Sequence, residues 1–459
     1  MAWGVVGREE KPAWLGQLER DDPALTELVV LRTLDERTWE SIARALAKST
    51  HLRTLVAHRQ FEPDMLRALA TACSSSQLAS VSIGTQALGD IGAAVLLPAL
   101  ASCATLVSCD LESRGLGDGS ADLIAALLSG ATARVRTLSI ARNDGLSGAG
   151  VCRIAAAAAV SQLVSLDVSN LALGDDGASA LGALCAKSRL LTKLVLKAVR
   201  FGPSGVQPFT DAFVSPAVAL TSLDASHVAL GAAAARLLGV LSAMAPALAA
   251  LSLDESALPT GAFREHGALL ALPLTSLRVH GCGLGDDGAL LLARAISDRR
   301  PPLTALHIGS NGVHAEGAAA LLEACAALPT MRTFDCIGNP LGDDGARALA
   351  RMVEGQPHGL VGGLTALCLT ACEIGFDGWA SLAKALMAAH DAGHDDGADL
   401  LAIELAHNPA CLHEAWAELH ERLRAERPAV CVVWKARGED AAEQVTPMRV
   451  RNTAFSGSH

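Results

Sequence analysis

The chain contains no tyrosine, and phenylalanine and tryptophan together supply only 3% of its 459 residues. Tight protein interfaces commonly centre on Trp, Tyr and Arg, so a binding surface built on aromatic anchors is not expected. An excess of basic charge is missing too, since 37 Lys and Arg stand against 48 Asp and Glu for a formal net charge of −11. Nucleic acid and anionic membranes are held by basic faces that displace counterions; neither is an expected partner, and a basic patch on another protein is the better match. The 12 cysteines include no C-x-x-C pair, and their scatter is unlike a disulfide framework. Cys109, Cys282, Cys336 and Cys372 fall among apolar residues, where a reduced thiol behaves as a small hydrophobe. A reducing, cytoplasmic setting follows.

Other absences narrow the chemistry. The opening stretch MAWGVVGREEKPAWLG breaks its apolar residues with charge, unlike a secretory signal. No N-x-[ST] sequon occurs. The apolar segment from Ala232 to Leu253 is interrupted by Arg236 and Pro246, and it reads as a helix followed by a strand instead of a membrane span. There is no G-x-x-x-x-G-K-[ST], no H-E-x-x-H and no G-x-S-x-G, so the phosphate loop, the helical zinc pair and the nucleophile elbow that those spacings build are absent. No catalytic residue, cofactor site or metal site is expected.

What is present is a repeat. The pattern L-x-x-L-x-L-x-x-N/C-x-L begins near Leu25, Leu52, Leu78, Leu106, Val135, Leu163, Leu191, Leu220, Leu248, Leu274, Leu303, Met331, Leu364 and Leu400. Successive starts are mostly 26 to 29 residues apart, with two longer steps of 33 and 36 near the C-terminal end. In LTSLRVHGCGLGDDGALLLARAISDRRPP, Leu274, Leu277 and Val279 alternate as a short strand with one apolar side. Cys282, or Asn311, Asn339 and Asn408 in other copies, turns inward where its polar atoms can satisfy the turn backbone. Ala289, Leu292, Ala293 and Ile296 then recur at helical spacing. Fixed periods of this length mark a solenoid, in which each unit buries its core against the next.

These residues resemble the ribonuclease-inhibitor-like subfamily of leucine-rich repeats, over roughly Ala24 to Pro428. The resemblance implies an α/β solenoid of about fourteen repeats shaped as a horseshoe, with a parallel sheet on the inner side and helices outside. The expected division is an N-terminal cap over residues 1–23 with Trp3 and Trp14, repeats over 24–428, a capping strand over 429–437 including Val430 to Trp434, and a flexible tail over 438–459. It also implies a non-catalytic interaction scaffold, with a cytoskeletal or ciliary (axonemal) complex as one client. A GTPase-activating protein for a Ran-like small GTPase is the alternative, although such proteins end in a strongly acidic tail and here only Glu439, Asp440 and Glu443 are acidic after Gly438. A fragment of an innate-immune receptor is a third reading, set back by the missing nucleotide-binding loop.

Several residue clusters imitate chemistry. G-D-D-G recurs at Gly174 to Gly177, Gly285 to Gly288 and Gly342 to Gly345, with GDIG at Gly89 and GFDG at Gly375. Aspartate at a helix start accepts from free N–H groups and complements the helix dipole, so the motif is expected to cap its own helix. The glycine spacing from Gly281 superficially suits a dinucleotide, but Asp286 and Asp287 would repel phosphate. His280 and His307 are expected side by side on neighbouring strands with no carboxylate beside them, and H-D-A-G-H-D-D from His390 to Asp396 is expected to be a solvated insertion.

If the strands line an inner face, the residues between the apolar positions point to a partner. That candidate protein-binding face comprises Asp110, Glu112, Asp167, Lys193, Lys197, Asp224, Asp254, Arg278, His280, His307, Asp335 and Glu404. It is acidic at first, with a basic island at the seventh repeat. The two long steps, Gly355 to Gly363 and Ala389 to Asp399, are expected to share one rim and to be candidates for contact.

Overall fold

The computed structural model describes residues 12–30, 34–130, 133–202, 204–212, 218–230, 233–256, 258, 270, 272–355, 364–391 and 401–434. Contacts divide the chain into two compact units: Met1–Ser204 with Asp211–Val214, and Gly205–Thr210 with Ser215–His459. Both are built by one rule. A short strand buries its alternate side chains, the chain turns, and a helix of the same repeat packs beside the helix of the next.

In the first unit the strands are β1 (Glu27–Val30), β2 (Thr54–Ala57), β3 (Ser80–Ile83), β4 (Ser108–Asp110), β5 (Thr137–Ser139), β6 (Ser165–Asp167) and β7 (Lys193–Val195), paired parallel in chain order. The register lines up Leu28, Leu55, Val81, Cys109, Leu138, Leu166 and Leu194 as one row, and all seven are buried. The second unit holds β8 (Ser222–Asp224), β9 (Ala250–Ser252), β10 (Ser276–Arg278), β11 (Ala305–His307), β12 (Thr333–Asp335), β13 (Ala366–Cys368), β14 (Leu401–Glu404) and β15 (Val430–Val433), also parallel and in order. Its row is Leu223, Leu251, Leu277, Leu306, Phe334, Leu367, Ile403 and Val432. Each of the fourteen expected repeat starts lies one or two residues before a strand. Among the described residues no helix is long and apolar enough to cross a membrane.

The helices follow from the second half of each repeat. Gly174–Lys187 buries Ala178, Leu181, Leu184 and Cys185, and Gly285–Arg299 buries Ala289, Leu292, Ala293 and Ile296. Small residues let neighbouring helices meet. A Cβ on Gly148 would stand 2.1 Å from the Leu173 carbonyl oxygen, a distance only glycine permits. Every turn from the fourth repeat to the fourteenth places one residue in the left-handed region just before the asparagine slot, from Ser113 at φ 56° to His407 at φ 59°. Glycine fills that place only at Gly281 and Gly338, so the architecture, not the local sequence, imposes the conformation.

At the N-terminal side the helix Ala13–Glu19 buries Leu15 and Leu18. Trp39 is buried in the first repeat's helix and meets the Phe61 ring edge-on at 4.9 Å. At the other side Trp379 and Trp416 are buried, with ring centroids 5.5 Å apart, and Trp434 lies 5.8 Å from Trp416. Trp3, the tail 438–459, residues 356–363 and the cluster beyond Asp391 lie outside the described residues.

Candidate protein-binding face

Beside the buried row, Ser108, Asp110, Ser165 and Asp167 are partly covered while Ser222, Ser252, Ser276 and His307 are buried; the expected face residues lie at these flanking positions or just past the strand ends. Four buried asparagines hold this face in place. Asn311 accepts the N–H groups of Cys282 and Leu284 at 2.9 and 3.2 Å through Oδ1, and donates from Nδ2 to the carbonyls of Val279, Ile308 and Gly309 at 2.7, 2.7 and 3.1 Å. Asn143, Asn339 and Asn408 do the same in their repeats. Each side chain therefore joins two adjacent turns. Buried backbone groups left without such partners are costly.

In the first unit the register sets Asp110 opposite Ser139, Ser139 opposite Asp167, and Ser165 opposite Lys193. Beneath Asp110 lies Arg114, which occupies the asparagine slot of its repeat. Its backbone N–H donates to Asn143 Oδ1. Its Nε donates to the Ile83 carbonyl at 3.0 Å, Nη1 to the Glu112 carbonyl at 2.5 Å and Nη2 to Ser82 Oγ at 2.8 Å. Arg114 is buried, and its guanidinium stands 3.9 Å from Asp110. Ser82 donates its one hydroxyl proton to Asp110 at 2.7 Å, which leaves His58 Nε2, 2.8 Å away, to donate to Ser82. Burial, then the Arg114 charge, pushes His58 below the usual imidazole range, against Asp110.

This Ser, His and Asp set is not a nucleophilic triad. In a triad the histidine accepts the serine proton and the aspartate orients the histidine; here the serine sits between the other two with a cation donating to it. Glu112 is pushed above the usual carboxylate range by burial and by Asp110, with Arg142, 3.3 Å away, opposing. Asp167 accepts the Ser169 N–H at 2.9 Å. Lys193 is half-buried and Lys197 exposed.

In the second unit Asp224 accepts the Ser226 N–H at 2.9 Å, and Ser226 and Ser252 hydroxyls meet at 2.7 Å. Asp254 takes the His280 N–H at 2.8 Å and Arg278 Nε and Nη2 at 2.9 and 2.8 Å. The pairing sets His307 between Arg278 and Asp335. The expected side-by-side histidines are therefore corrected: His280 lies next to Gly309, and a Cβ there would meet its ring at 2.3 Å. Each histidine also has a carboxylate beside it, His280 with Glu255 at 3.7 Å and His307 with Asp335 at 3.1 Å. Burial raises Asp335, but hydrogen bonds from His307 and the Ile337 N–H hold it below its ordinary value. Cys368, pushed up to about 12 by burial and by Asp335, stays a thiol and lies 3.6 Å from Glu404. No three His, Cys, Asp or Glu side chains among the described residues converge on a metal position.

The G-D-D-G aspartates depart from the expectation that they cap their own helices. The first aspartate reaches the next repeat. Asp343 accepts the Gly375 N–H at 2.7 Å, and Asp286 accepts the His314 N–H at 2.8 Å, with His314 preceding the helix Ala315–Ala326. Asp90 bonds Gly117, Asp118 bonds Ser147, and Asp175 bonds Ser204 in the same way. The carboxylate therefore ties turn to turn, and for Asp90, Asp118, Asp286 and Asp343 it does so at the residue that precedes the following helical turn. Strand spacing also gave no sign of Arg114, Arg142 or Glu255; the one sequence signal for Arg114 is a charged residue in a slot that holds no charge in any other repeat.

Residues 272–293 and 301–322 match a family model described as Leucine Rich repeat. Over 196 residues the chain is 33% identical to leucine-rich repeat-containing protein 73 of Rattus norvegicus and of Homo sapiens, covering 41% of this chain and 62% of theirs. Over 267 residues it is 29% identical to the ribonuclease inhibitor of Sus scrofa, covering 57% of each. The chain thus spans less than two thirds of the curated relatives it matches. A chain from a yeast complex of Rad7 and Elc1 is similar with a TM-score of 0.49 at 13% identity, covering 81% of this chain and 83% of that one.

Proposed function

The chain is a leucine-rich-repeat protein of the ribonuclease-inhibitor-like type, and from that premise we propose that it is a non-catalytic scaffold whose strand face binds a protein partner. The carrying observation is the lateral chain of polar contacts on that face. Arg142 meets Glu112, Arg278 meets Asp254 and His307 meets Asp335, each pair spanning neighbouring repeats. Side chains already held in one geometry lose little freedom on binding, and rows of them read a partner's charge pattern. The face has few aromatic anchors, so its affinity comes from polar fit over a long surface. We place the protein in the cytoplasm, with a cytoskeletal or axonemal assembly as the client that the family resemblance suggests.

Affinity purification of the full chain from cytosolic and axonemal extracts tests this, with Asp110→Lys and Asp254→Lys variants run in parallel. A partner retained by the native chain and lost from these variants is the expected result. Equal recovery from all three, or no specific partner in either extract, would defeat the reading.

A further inference from the structure

The strand face is not covered evenly. In the first unit Ser108, Ser139 and Ser165 are half-buried and Thr137 is exposed; Ser82, which is buried there, has Asp110, His58 and Arg114 on it. Across β8–β11 the corresponding places are closed, with Ser222, Ala250, Ser252, Ser276 and His307 all buried. Lateral neighbours do not account for the serines. Ser165 stands between Thr137 and Lys193, whereas Ser276 stands between Ala250 and Ala305, and smaller neighbours leave a side chain more open. The described elements packed closest to these strands are the strands beside them.

Polar atoms in this patch lack what burial normally demands. Ser222 Oγ, Ser276 Oγ and His307 Nε2 are buried with no hydrogen-bond partner among the described residues, a costly condition that calls for an explanation. His307 Nδ1 lies 3.1 Å from the Asp335 carboxylate, which only accepts. The proton of an uncharged imidazole therefore sits on Nδ1, and Nε2 is left an acceptor without a donor. Arg278 beside it spends Nε and Nη2 on Asp254. With Asp224, Asp254, Asp335 and Glu404 at these places, the occupant that fits brings donors and positive charge.

The chain carries such a segment. Among the longer stretches of the second unit outside the described residues, 356–363 has no Asp, Glu, Lys or Arg, 392–400 is acidic and 259–269 balances Arg264 with Glu265. Residues 444–459 hold Arg449 and Arg451 and no Asp or Glu, and Asn452, Thr453 and Ser456 add amide and hydroxyl donors. The tether is long enough. From β8 to β15 the strands extend about 34 Å at roughly 4.8 Å each; β15 ends at Val433, and the stretch from Trp434 to Arg449 reaches about 50 Å at roughly 3.3 Å per residue.

We propose that residues 444–459 lie along the strand face of β8–β11 as an intrachain mask, with Arg449 and Arg451 set against its carboxylates and an N–H donated to His307 Nε2. The masking rests on the chain alone. Its consequence, that a protein partner of this face must displace the segment, rests on the function proposed above.

Diethyl pyrocarbonate, which carbethoxylates an accessible uncharged imidazole nitrogen, reads the mask at His307, with peptide mass spectrometry giving the rate at each histidine. The full chain is compared with the chain ending at Glu443 and with an Arg449→Glu/Arg451→Glu variant, and circular dichroism verifies that all three share one fold. His307 should react at least tenfold faster in the shortened chain and several-fold faster in the double variant, while the exposed His314 is unchanged. A synthetic peptide of residues 444–459 should slow His307 of the shortened chain again, and the same peptide with Glu for both arginines should not. Equal His307 rates in the full and shortened chains, or equal effects of the two peptides, would overturn the proposal. So would protection of the full chain that grows with its concentration, because the cover would then be a second copy. These rates need no partner, so failure of the proposed function would leave them as they are.

Discussion

Replacing Asn311 by alanine removes five hydrogen bonds at once, and the structure says which of them matter. The Ile308 carbonyl keeps the Asn339 amide at 3.0 Å, and the Gly309 carbonyl keeps the Gly281 N–H at 2.8 Å. The N–H groups of Cys282 and Leu284 have Asn311 Oδ1 as their acceptor, and both residues are buried. Two orphaned buried donors, at about 1–3 kcal/mol each, put the loss on the order of 2–6 kcal/mol. It should be concentrated at one junction. Hydrogen exchange read by mass spectrometry should accelerate at Cys282 and Leu284 while the Asn143 junction is unchanged, and urea denaturation should show the loss in the part of the chain that carries the second unit. Asn311→Cys copies the residue at 282 and 372; its thiol can donate to a carbonyl, as Cys282 donates to Leu253 at 3.0 Å, but it supplies no equivalent acceptor, so it should recover only part of the loss. A cost below about 0.5 kcal/mol for alanine, or unchanged exchange at the two amides, would refute the claim that the asparagine bridges adjacent turns.

Asp343→Ala should destabilise by about 0.5–2 kcal/mol, the usual range for a lost helix cap, because it frees the Gly375 N–H; its neighbour Asp344, exposed and paired only with Arg347, should change the melting temperature little on removal. Ala371, held at φ 52°, should gain on replacement by glycine. Relief of the left-handed strain, about 1–2 kcal/mol, is partly offset by the freer unfolded chain, for a net gain on the order of 0.5 kcal/mol in chemical denaturation. Asp21, held down to about 2 by hydrogen bonds from Thr50 and Ser49, has a folded pKa below its unfolded value. Its contribution is therefore complete above the ordinary carboxylate range and disappears as pH falls through about 2. Carboxyl chemical shifts followed by NMR should show that titration, and Asp21→Asn should flatten the acid limb of the stability profile.

The fold was legible because burial is non-directional and accumulates. A one-residue slip would have turned Leu277 and Leu306 out to solvent, so spacing alone fixed fourteen strands and the row they form. Polar partners were not legible in the same way, since a hydrogen bond depends on reach and angle toward a neighbouring repeat whose offset varies by a residue or two. That is why Asp286 was expected to serve its own helix yet serves His314, and why His280 settles over Gly309 instead of beside His307. It also suggests where to look in a chain of this kind. A residue type that recurs at one place in several junctions is explained by the junction, as Asp90, Asp118, Asp175, Asp286 and Asp343 are. A charge in a slot that no other repeat fills with a charge has no such explanation, and Arg114 is the place where a buried charge comes up beneath the strand face.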